Sequence, residues 1–369
     1  MARNRVIYQS EALYVSSGAA ALGEGNHKQL ERVQSANFNY TINRQDINQF
    51  GELARIDSLI LDPPTVSTDF SYYLTDGFNE RCLGFYVQTG SGGAGGVGSD
   101  PGGFASGHLT PDSGKNIFIV TASEGTDINL DGAIGATDTV IGIGNCYLSN
   151  YSVDMAVGSI PTVSVSMEGA NVRSDADGAS IDTPAVDQSA GTQMAGTISL
   201  PEPTTGVSNI AALRPGDITV NIANFASESV ADIVGDGSAH VQSVSLSVPL
   251  SRSPISRLGS RFPFAREVDF PVTVSMSISS VMNETAAYQL VDKLDAASNS
   301  ATVTLKDKDG KQTVIWTLSG AKVDSESISS SIGSNKTVDL TLSTQIGGPS
   351  DLKHGLYMSG ANGTAAFSS

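Results

Sequence analysis

The chain has 369 residues, enough for two domains of ordinary size, and 39% of them are apolar against 16% charged. This composition, rich in Ser, Thr, Gly, Asn and Asp, is typical of β-proteins with many turns and excludes a simply disordered chain. The formal net charge of −17 argues against tight binding to nucleic acid, because an acidic surface repels phosphate.

The first segment, residues 1–32, is predicted to be an N-terminal arm. Its opening residues carry positive charge but contain no apolar core of signal-peptide length, so we expect no secretion signal. No apolar run in the chain reaches the length of a transmembrane helix, so we expect no membrane anchor.

An internal repeat is the most informative feature of the sequence. Residues 33–71 align without a gap on residues 241–279, at a constant separation of 208, and the identical pairs include Arg44/Arg252, Ile47/Ile255 and Gly51/Gly259. Apolar residues alternate with polar ones in both copies, which predicts strands with one buried face. Each copy is therefore predicted to be a strand, a long connection with a glycine turn, and a second strand.

The end of each copy also corresponds in sequence. Leu148 and Val153 pair with Leu318 and Val323 at a separation of 170, and Thr162 then pairs with Thr337 if the second copy carries five extra residues. Alternating runs at 162–167 and 337–342 follow, so each copy is predicted to end in a second hairpin.

A short helix is predicted between the two hairpins of each copy. In the second copy, residues 284–297 place Ala287, Leu290, Val291 and Leu294 on one stripe, with a polar cap before them. The first-copy counterpart, at 76–86, is interrupted by Gly77 and Gly84. The fold class is therefore mainly β, a barrel or sandwich with a short helix per domain.

The parts of the chain outside the repeat are turn-rich. Residues 90–116 form a Gly/Ser-rich insertion without the Lys-Ser/Thr of a phosphate-binding loop, so we expect a surface loop. The predicted organisation is an arm 1–32, a first domain 33–170 with this insertion, a connection 171–240, a second domain 241–346 and a loosely ordered tail 347–369.

No catalytic or metal-binding constellation is apparent, so no catalytic, cofactor or metal residue is predicted and the chain is not expected to be an enzyme. One loop, residues 127–138, has oxygen-bearing residues at calcium-loop positions, from Asp127, Asn129 and Asp131 to Asp138, with Gly132 at the turn. Its flanks are predicted strands, and Asp replaces the usual final Glu. A calcium site and an ordinary Asp/Asn/Gly turn therefore stay open as alternatives.

Three stretches resemble phage major tail tube proteins: GNCYLSNYSV at 144–153 with VGSIPTVSVSMEG at 157–169, ALRPGDI at 212–218, and residues 241–281 with the Leu258-Gly259 turn. With the shared architecture, the resemblance extends over most of residues 33–346. It implies two tandem tail-tube-like domains, each giving two hairpins to a continuous inner β-barrel with a helix packed outside.

The resemblance also implies how the chain assembles. Six such domains around a channel make a ring, so a two-domain chain forms a trimeric, pseudo-hexameric ring that stacks into a tube through which DNA passes. The connections 43–64 and 251–270 are expected to touch the neighbouring ring. Implied partners are the chain itself and other tail proteins, such as the tape measure, terminator and baseplate. The implied location is the virion tail, after synthesis in the host bacterial cytoplasm.

Two other classes of protein also fit the composition. One is another virion β-protein, such as a baseplate or head decoration subunit, which would form closed oligomers without tubes. The other is a secreted calcium-binding adhesin or carbohydrate-binding module, favoured by the 127–138 loop but lacking an aromatic-rich platform, since only 6% of residues are aromatic and Trp316 is the one tryptophan. Assembly behaviour distinguishes the first alternative, and a calcium-dependent rise in stability supports the second.

Overall fold

The computed structural model describes residues 11–89, 103–110, 113–122, 126–130, 132–206, 218–223, 240–281, 299–306, 312–333, 335–347 and 355–360. The first half contains strands and one α-helix: β1 (Glu11–Ser16), β2 (His27–Gln29), β3 (Val33–Thr41), β4 (Arg44–Ile47), β5 (Asp57–Ile60), β6 (Thr65–Tyr73), α1 (Phe78–Leu83), β7 (Gln88–Thr89), β8 (Lys115–Thr121), β9 (Thr139–Ala156), β10 (Thr162–Gly169) and β11 (Asn171–Asp175).

Short strands then connect to the second half: β12 (Ile181–Asp182), β13 (Val186–Asp187), β14 (Thr192–Gln193) and β15 (Thr197–Ile198). The second half contains β16 (Ile218–Ala223), β17 (His240–Pro249), β18 (Arg252–Ile255), β19 (Ala265–Val268), β20 (Val272–Val281), β21 (Asn299–Lys306), β22 (Gln312–Ser329), β23 (Thr337–Ile346) and β24 (Gly355–Gly360). The prediction of a mainly β fold is confirmed.

One long antiparallel sheet contains the hairpins of both halves. Its strand order is β3-β6-β10-β9-β17-β20-β23-β22, so the first half supplies four neighbouring strands and the second half supplies four more in the corresponding order. Both halves form this sheet from the same elements, because their alternating apolar residues bury one face of each strand. Among the described residues the path is open at β3 and at residues 322–329 of β22.

The strand pairing repeats as closely as the sequence does. Phe38 faces Thr68 in the first half, and their counterparts in the repeat, Leu246 and Met276, face each other in the second. A bulge interrupts both pairs at the same place, at Gln34 in β3 and at Gln242 in β17. A bulge bends a strand and increases its twist, so the two halves share a local shape as well as a register.

The predicted alignment of Leu148 and Val153 with Leu318 and Val323 is wrong by five residues, whereas the predicted correspondence of Thr162 and Thr337 is confirmed. In the first half Leu148 faces Met167, and a bulge follows Leu148 in β9. In the second half Val323 faces Leu342, and the matching bulge follows Val323 in β22. The separation is therefore 175 in β9 and β10 alike, and Leu148 corresponds to Val323. Short Ser- and Val-rich strands match at several offsets, and only the pairing partners decide which offset holds.

Strands β9 and β22 are both 18 residues long and run through two sheets. Each changes direction at one residue with positive φ, Asn145 at 52° and Gly320 at 70°, and these two residues occupy corresponding positions of the two halves. Before this point β9 pairs with β8 and β11, and β22 pairs with β21 and β24. Each half thus adds a flanking sheet to its part of the long sheet.

The segments predicted as arm and tail contribute strands to these flanking sheets. Strand β1 pairs with β8, and β24 pairs with β22 along its whole length, burying Leu356, Tyr357 and Met358. The expectation of a loosely ordered tail is therefore wrong for residues 355–360. The division into domains itself stays a prediction.

The main core lies between the long sheet and the flanking sheets. It contains Leu13 and Ile119 from a flanking sheet together with Phe70 and Val153 from the long sheet, and it continues into the second half through Trp316. A smaller core covers the other side of the first flanking sheet with residues of the connection. Part of the predicted connection therefore packs on the first half.

The first predicted helix forms at Phe78–Leu83, inside the predicted range 76–86. Gly77 and Gly84 do not interrupt it but bound it, with φ values of 95° and 103° that favour glycine. The second predicted helix, 284–297, lies outside the described residues. No helix among those described is long and apolar enough to cross a membrane.

Candidate functional site: assembly edges and a polar sheet face

The long sheet has one apolar face and one polar face. The apolar face packs on the flanking sheets and helix α1 and is buried. The opposite face presents mostly Ser, Thr and Asn, and hydroxyl groups of neighbouring strands form hydrogen bonds across it, as between Ser35 and Ser71 at 2.6 Å and between Ser329 and Thr337 at 2.6 Å. This face is therefore a hydrated surface of small polar groups.

Exposed carboxylates lie among these hydroxyl groups. Asp69 on β6, Asp154 on β9 and Asp339 on β23 are all exposed at alternating positions of the polar face. Their charges repel a polyanion, and the hydroxyl side chains around them are uncharged. The exposed Lys322, opposite Ser343, is a cation near one end of this face. The acidic groups of the polar face therefore disfavour binding of an anionic polymer.

The two halves join where β9 pairs with β17. Leu246 lies opposite Val153, and Val248 lies opposite Tyr151, with all four side chains buried. Next to this joint, the Val157 N–H donates to the carbonyl of Gln242 at 2.9 Å. Strand pairing and apolar burial together make the joint continuous with the sheet on both sides.

Two arginines reinforce this internal joint from the β18–β19 hairpin. The buried Arg266 donates to the Glu168 carboxylate at 3.0 Å and to the Gly169 carbonyl. The Arg252 guanidinium lies 5.1 Å from the ring centre of Tyr147 and donates to the Ser113 hydroxyl at 2.8 Å. We call these contacts of Arg252 and Arg266 with the first half the arginine clamp.

The two ends of the long sheet expose the same strand positions that the joint buries. Phe38 and Tyr40 on β3 are 38% and 59% exposed, whereas their counterparts Leu246 and Val248 on β17 are 1% and 0% exposed. At the other end, Ile328 on β22 is 37% exposed, while its counterpart on β9 is fully buried. Beyond β3, and on the free side of residues 322–329, the described residues supply no further pairing strand.

The two hairpins between the paired strands differ in how their bases are covered. The tip residues Phe50, Leu53 and Leu258 are fully exposed in both halves. At the base, Val268 of the second hairpin is 8% exposed and its counterpart Ile60 is 51% exposed. The connections 43–64 and 251–270, predicted to touch a neighbouring ring, therefore form hairpins with exposed apolar tips.

A buried carboxyl group lies under the long sheet and was not singled out by the sequence analysis. Glu80 of α1 accepts hydrogen bonds from the hydroxyl groups of Tyr72 at 2.9 Å and Tyr151 at 3.1 Å. Burial raises the pKa of Glu80, and the two tyrosine hydrogen bonds oppose this shift. The signal in the sequence was the placement of both tyrosines at apolar positions of alternating strands.

The predicted calcium loop is only partly within the described residues, because Asp131 lies outside them. Asn129 accepts a hydrogen bond from Gln29 at 2.9 Å, and the Asp138 carboxylate accepts one from the Gly135 N–H at 2.7 Å. Across the described ranges, no group of three acidic, histidine or cysteine side chains could hold a metal ion. Calcium binding at residues 127–138 stays a prediction.

No family model matches the chain, and no curated protein matches it. Among solved structures, the chain is similar to a chain of the anti-feeding prophage baseplate, determined by cryo-electron microscopy with sixfold symmetry. The similarity covers 39% of this chain and 92% of that chain, with 14% sequence identity and a TM-score of 0.25. A TM-score this low does not establish a common fold.

Proposed function

We propose that this protein is a structural subunit of a phage tail tube, and that three chains form a ring that stacks into a hollow conduit for DNA. The single observation that supports this most is the doubled four-strand unit in one open sheet. One end of the sheet, β3, corresponds to β17, and the other end, β22, corresponds to β9. The two ends therefore match the two sides of the internal joint.

If the internal joint is repeated between chains, each open end of the long sheet pairs with the opposite end of a neighbouring chain. An open antiparallel sheet exposes unpaired backbone groups that invite pairing, and closure into a ring removes them. Contacts between unlike surfaces of identical subunits generate rings or filaments. With two halves per chain, three chains supply the six repeated units that the resemblance to tail tube proteins implies.

In this arrangement the polar face of the long sheet lines the channel. The opposite face is covered by the flanking sheets and α1, so the polar face alone remains open to a lumen. Its hydroxyl groups and its carboxylates, such as Asp69 and Asp154, let DNA pass without binding. The exposed hairpin tips, such as Phe50 and Leu258, are the apolar groups available for contact with a stacked ring or with baseplate, terminator and tape measure proteins.

The experiment is negative-stain electron microscopy of the purified chain over a range of protein and salt concentrations. We expect hollow tubes or stacked rings with three chains per ring in projection. Closed rings that never stack would instead favour a baseplate or head decoration subunit. A chain that stays monomeric at high concentration, with the fold intact by circular dichroism, contradicts self-assembly.

A further inference from the structure

We infer that β3 of one chain pairs with β22 of a second copy in the register of the internal joint, and that this interchain joint lacks the arginine clamp. The inference rests on the proposed function for its occupant, a second copy of this chain. Its geometry comes from the internal joint, which already shows how a β3-type strand pairs with a β22-type strand.

The register follows from the repeat. Leu246 of β17 faces Val153 of β9 at the internal joint. The counterpart of Leu246 in the first half is Phe38, and the counterpart of Val153 in the second half is Ile328. Phe38 of one chain therefore faces Ile328 of the second copy.

The neighbouring pair of the joint gives the same register. Val248 faces Tyr151 within the chain. The counterpart of Val248 is Tyr40, and the counterpart of Tyr151 is Glu326. Tyr40 of one chain therefore faces Glu326 of the second copy.

This pairing covers the apolar residues that the single chain leaves exposed. Phe38 and Tyr40 of β3, and Ile42 directly after it, have buried counterparts in β17 and directly after it. Burial of these partly exposed side chains favours association and offsets part of the cost of lost translational and rotational freedom. The same edge supplies the backbone hydrogen bonds of an added strand.

The turn that follows β9 at the internal joint has a counterpart after β22 at the inferred interchain joint. Val157 donates its N–H to the Gln242 carbonyl at the internal joint, and the matching residues are Ile332 and Gln34. Ile332 is fully exposed in the single chain. Gln34 borders a cavity of about 310 Å³ that Leu13 and Leu30 also line. The interchain joint thus brings the exposed Ile332 side chain to the rim of an open pocket with mixed polar and apolar walls.

The clamp residues, in contrast, are not repeated. Ser58 corresponds to Arg266, and Ser343 corresponds to Glu168, so this ion pair between a buried arginine and a partly exposed glutamate has no interchain counterpart. Lys322 stands where Tyr147 stands, and it would meet Arg44, the counterpart of Arg252. An attractive cation–π contact is thus replaced by two like charges. The joint between chains is therefore weaker than the joint within a chain, and salt strengthens it by screening this repulsion.

Engineered disulfides test the register. The variant Phe38→Cys/Ile328→Cys should form a covalent oligomer under mild oxidation, because facing residues of paired strands have Cα atoms about 4.5–5.5 Å apart, within disulfide range. A second variant, Tyr40→Cys/Glu326→Cys, repeats the test at the next pair. The native Cys82 and Cys146 are buried and can remain.

The matched control is Ala36→Cys/Glu326→Cys, which is four residues out of the inferred register and so separates the two sulfur-bearing residues by about 13 Å along the strand. Covalent trimers from both in-register variants, and none from the control, support the joint. Oligomers from the control alone, or from no variant at concentrations where the chain assembles, overturn it. The readout is a non-reducing denaturing gel.

Transplanting the clamp tests the second half of the inference. Ser58→Arg/Ser343→Glu should lower the concentration of half-maximal assembly about fivefold to tenfold, because a partly buried, charge-assisted hydrogen bond is added across the joint. Ser58→Arg alone should raise that concentration, because it adds a third cation near Arg44 and Lys322. Equal assembly by both variants overturns the clamp argument.

The outcomes separate the joint from the proposed function. Covalent trimers that form closed rings without tubes leave the joint standing and contradict the tube. Tubes formed by the natural chain, together with absent in-register disulfides, leave the tube standing and contradict the joint.

Discussion

At the residue scale, the Glu80 carboxyl group sets an expected pH dependence. It lies fully buried under the long sheet with the hydroxyl groups of Tyr72 and Tyr151 as donors. Burial disfavours the charged form, so the folded protein binds this proton more tightly than the unfolded chain does. The stabilisation from protonated Glu80 is thus complete below the ordinary pKa of 4.5 and is lost as pH rises through the raised folded pKa.

We therefore expect Glu80→Gln to remove the fall in the free energy of unfolding that occurs between pH 4.5 and the raised pKa of Glu80. The free energy of unfolding of the natural chain, minus that of Glu80→Gln, should fall as pH rises above 4.5, by up to about 1.4 kcal/mol per pH unit. Chemical denaturation at a series of pH values measures it. Tyr151→Phe removes a donor that lowers the pKa of Glu80, so the fall should still begin near pH 4.5 but continue to higher pH. A difference that does not change with pH contradicts the argument.

A second residue-scale feature is Asn145, where β9 changes sheets with a φ of 52°. Its side chain forms hydrogen bonds with both backbone groups of Val186, at 2.7 and 3.2 Å, and its N–H donates to Asn116. These bonds hold an L-residue in a conformation that is otherwise unfavourable. Gly320 reaches the matching φ in the second half without such support, because it has no Cβ.

At the scale of elements, the β4–β5 and β18–β19 hairpins show how a repeated turn is encoded. Gly51 and Gly259 have φ values of 95° and 86°, and a Cβ at either position would meet open space. Any cost of substitution must therefore come from the backbone conformation and not from a clash. The turn is encoded in both copies by the same spacing of Arg, Ile and Gly, which places the glycine of each copy at the residue with positive φ.

We expect Gly51→Val and Gly259→Val each to lower the free energy of unfolding by about 1–2 kcal/mol, the cost of a left-handed conformation in an L-residue. If the chain assembles as proposed, both should also reduce ring stacking, because these turns position the exposed apolar tips Phe50 and Leu258. The control is Gly18→Val, where a Cβ also meets open space but φ is not positive. Thermal denaturation and electron microscopy measure the two effects. Normal assembly by both hairpin variants would show that the turn tolerates other conformations.

At the scale of the whole molecule, the proposed tube function makes the polar face of the long sheet the surface that would meet DNA. Asp69, Asp154 and Asp339 are far apart in sequence and come to one face through the order of the strands. Each carboxylate repels phosphate over roughly a Debye length, about 8 Å at physiological salt.

We expect Asp69→Lys/Asp154→Lys/Asp339→Lys to bind double-stranded DNA with an affinity that falls steeply as salt rises, whereas the natural chain does not bind. The control, Glu24→Lys/Asp177→Lys/Glu202→Lys, makes the same change in net charge at exposed positions away from this face. Filter binding to assembled protein at several salt concentrations distinguishes the two variants. Equal binding by both would show that net charge, and not the polar face, controls DNA contact.

Much of the long sheet was predictable from the sequence, because two copies of one alternating pattern report the same strands twice. The strands at 33–41, 65–73 and their counterparts have the bounds that the repeat implies. The offset between β9 and β22 was not predictable, because the dipeptides Leu-Ser and Val-Asp recur by chance in strands of this composition. The offset is fixed by which residues of neighbouring strands face each other, and this pairing involves segments that are distant in the sequence.

By itself, the sequence determined the β class, the duplication and the glycine turns, because period-two burial and positive φ depend on neighbouring residues. Only the tertiary structure decided that both halves share one sheet, that its polar face is left open, and that β3 and β22 are its two ends. It also decided that the segments around β1 and β24 belong to flanking sheets. These features arise from contacts between residues far apart in the chain, where each strand's place depends on which edges its neighbours leave unpaired.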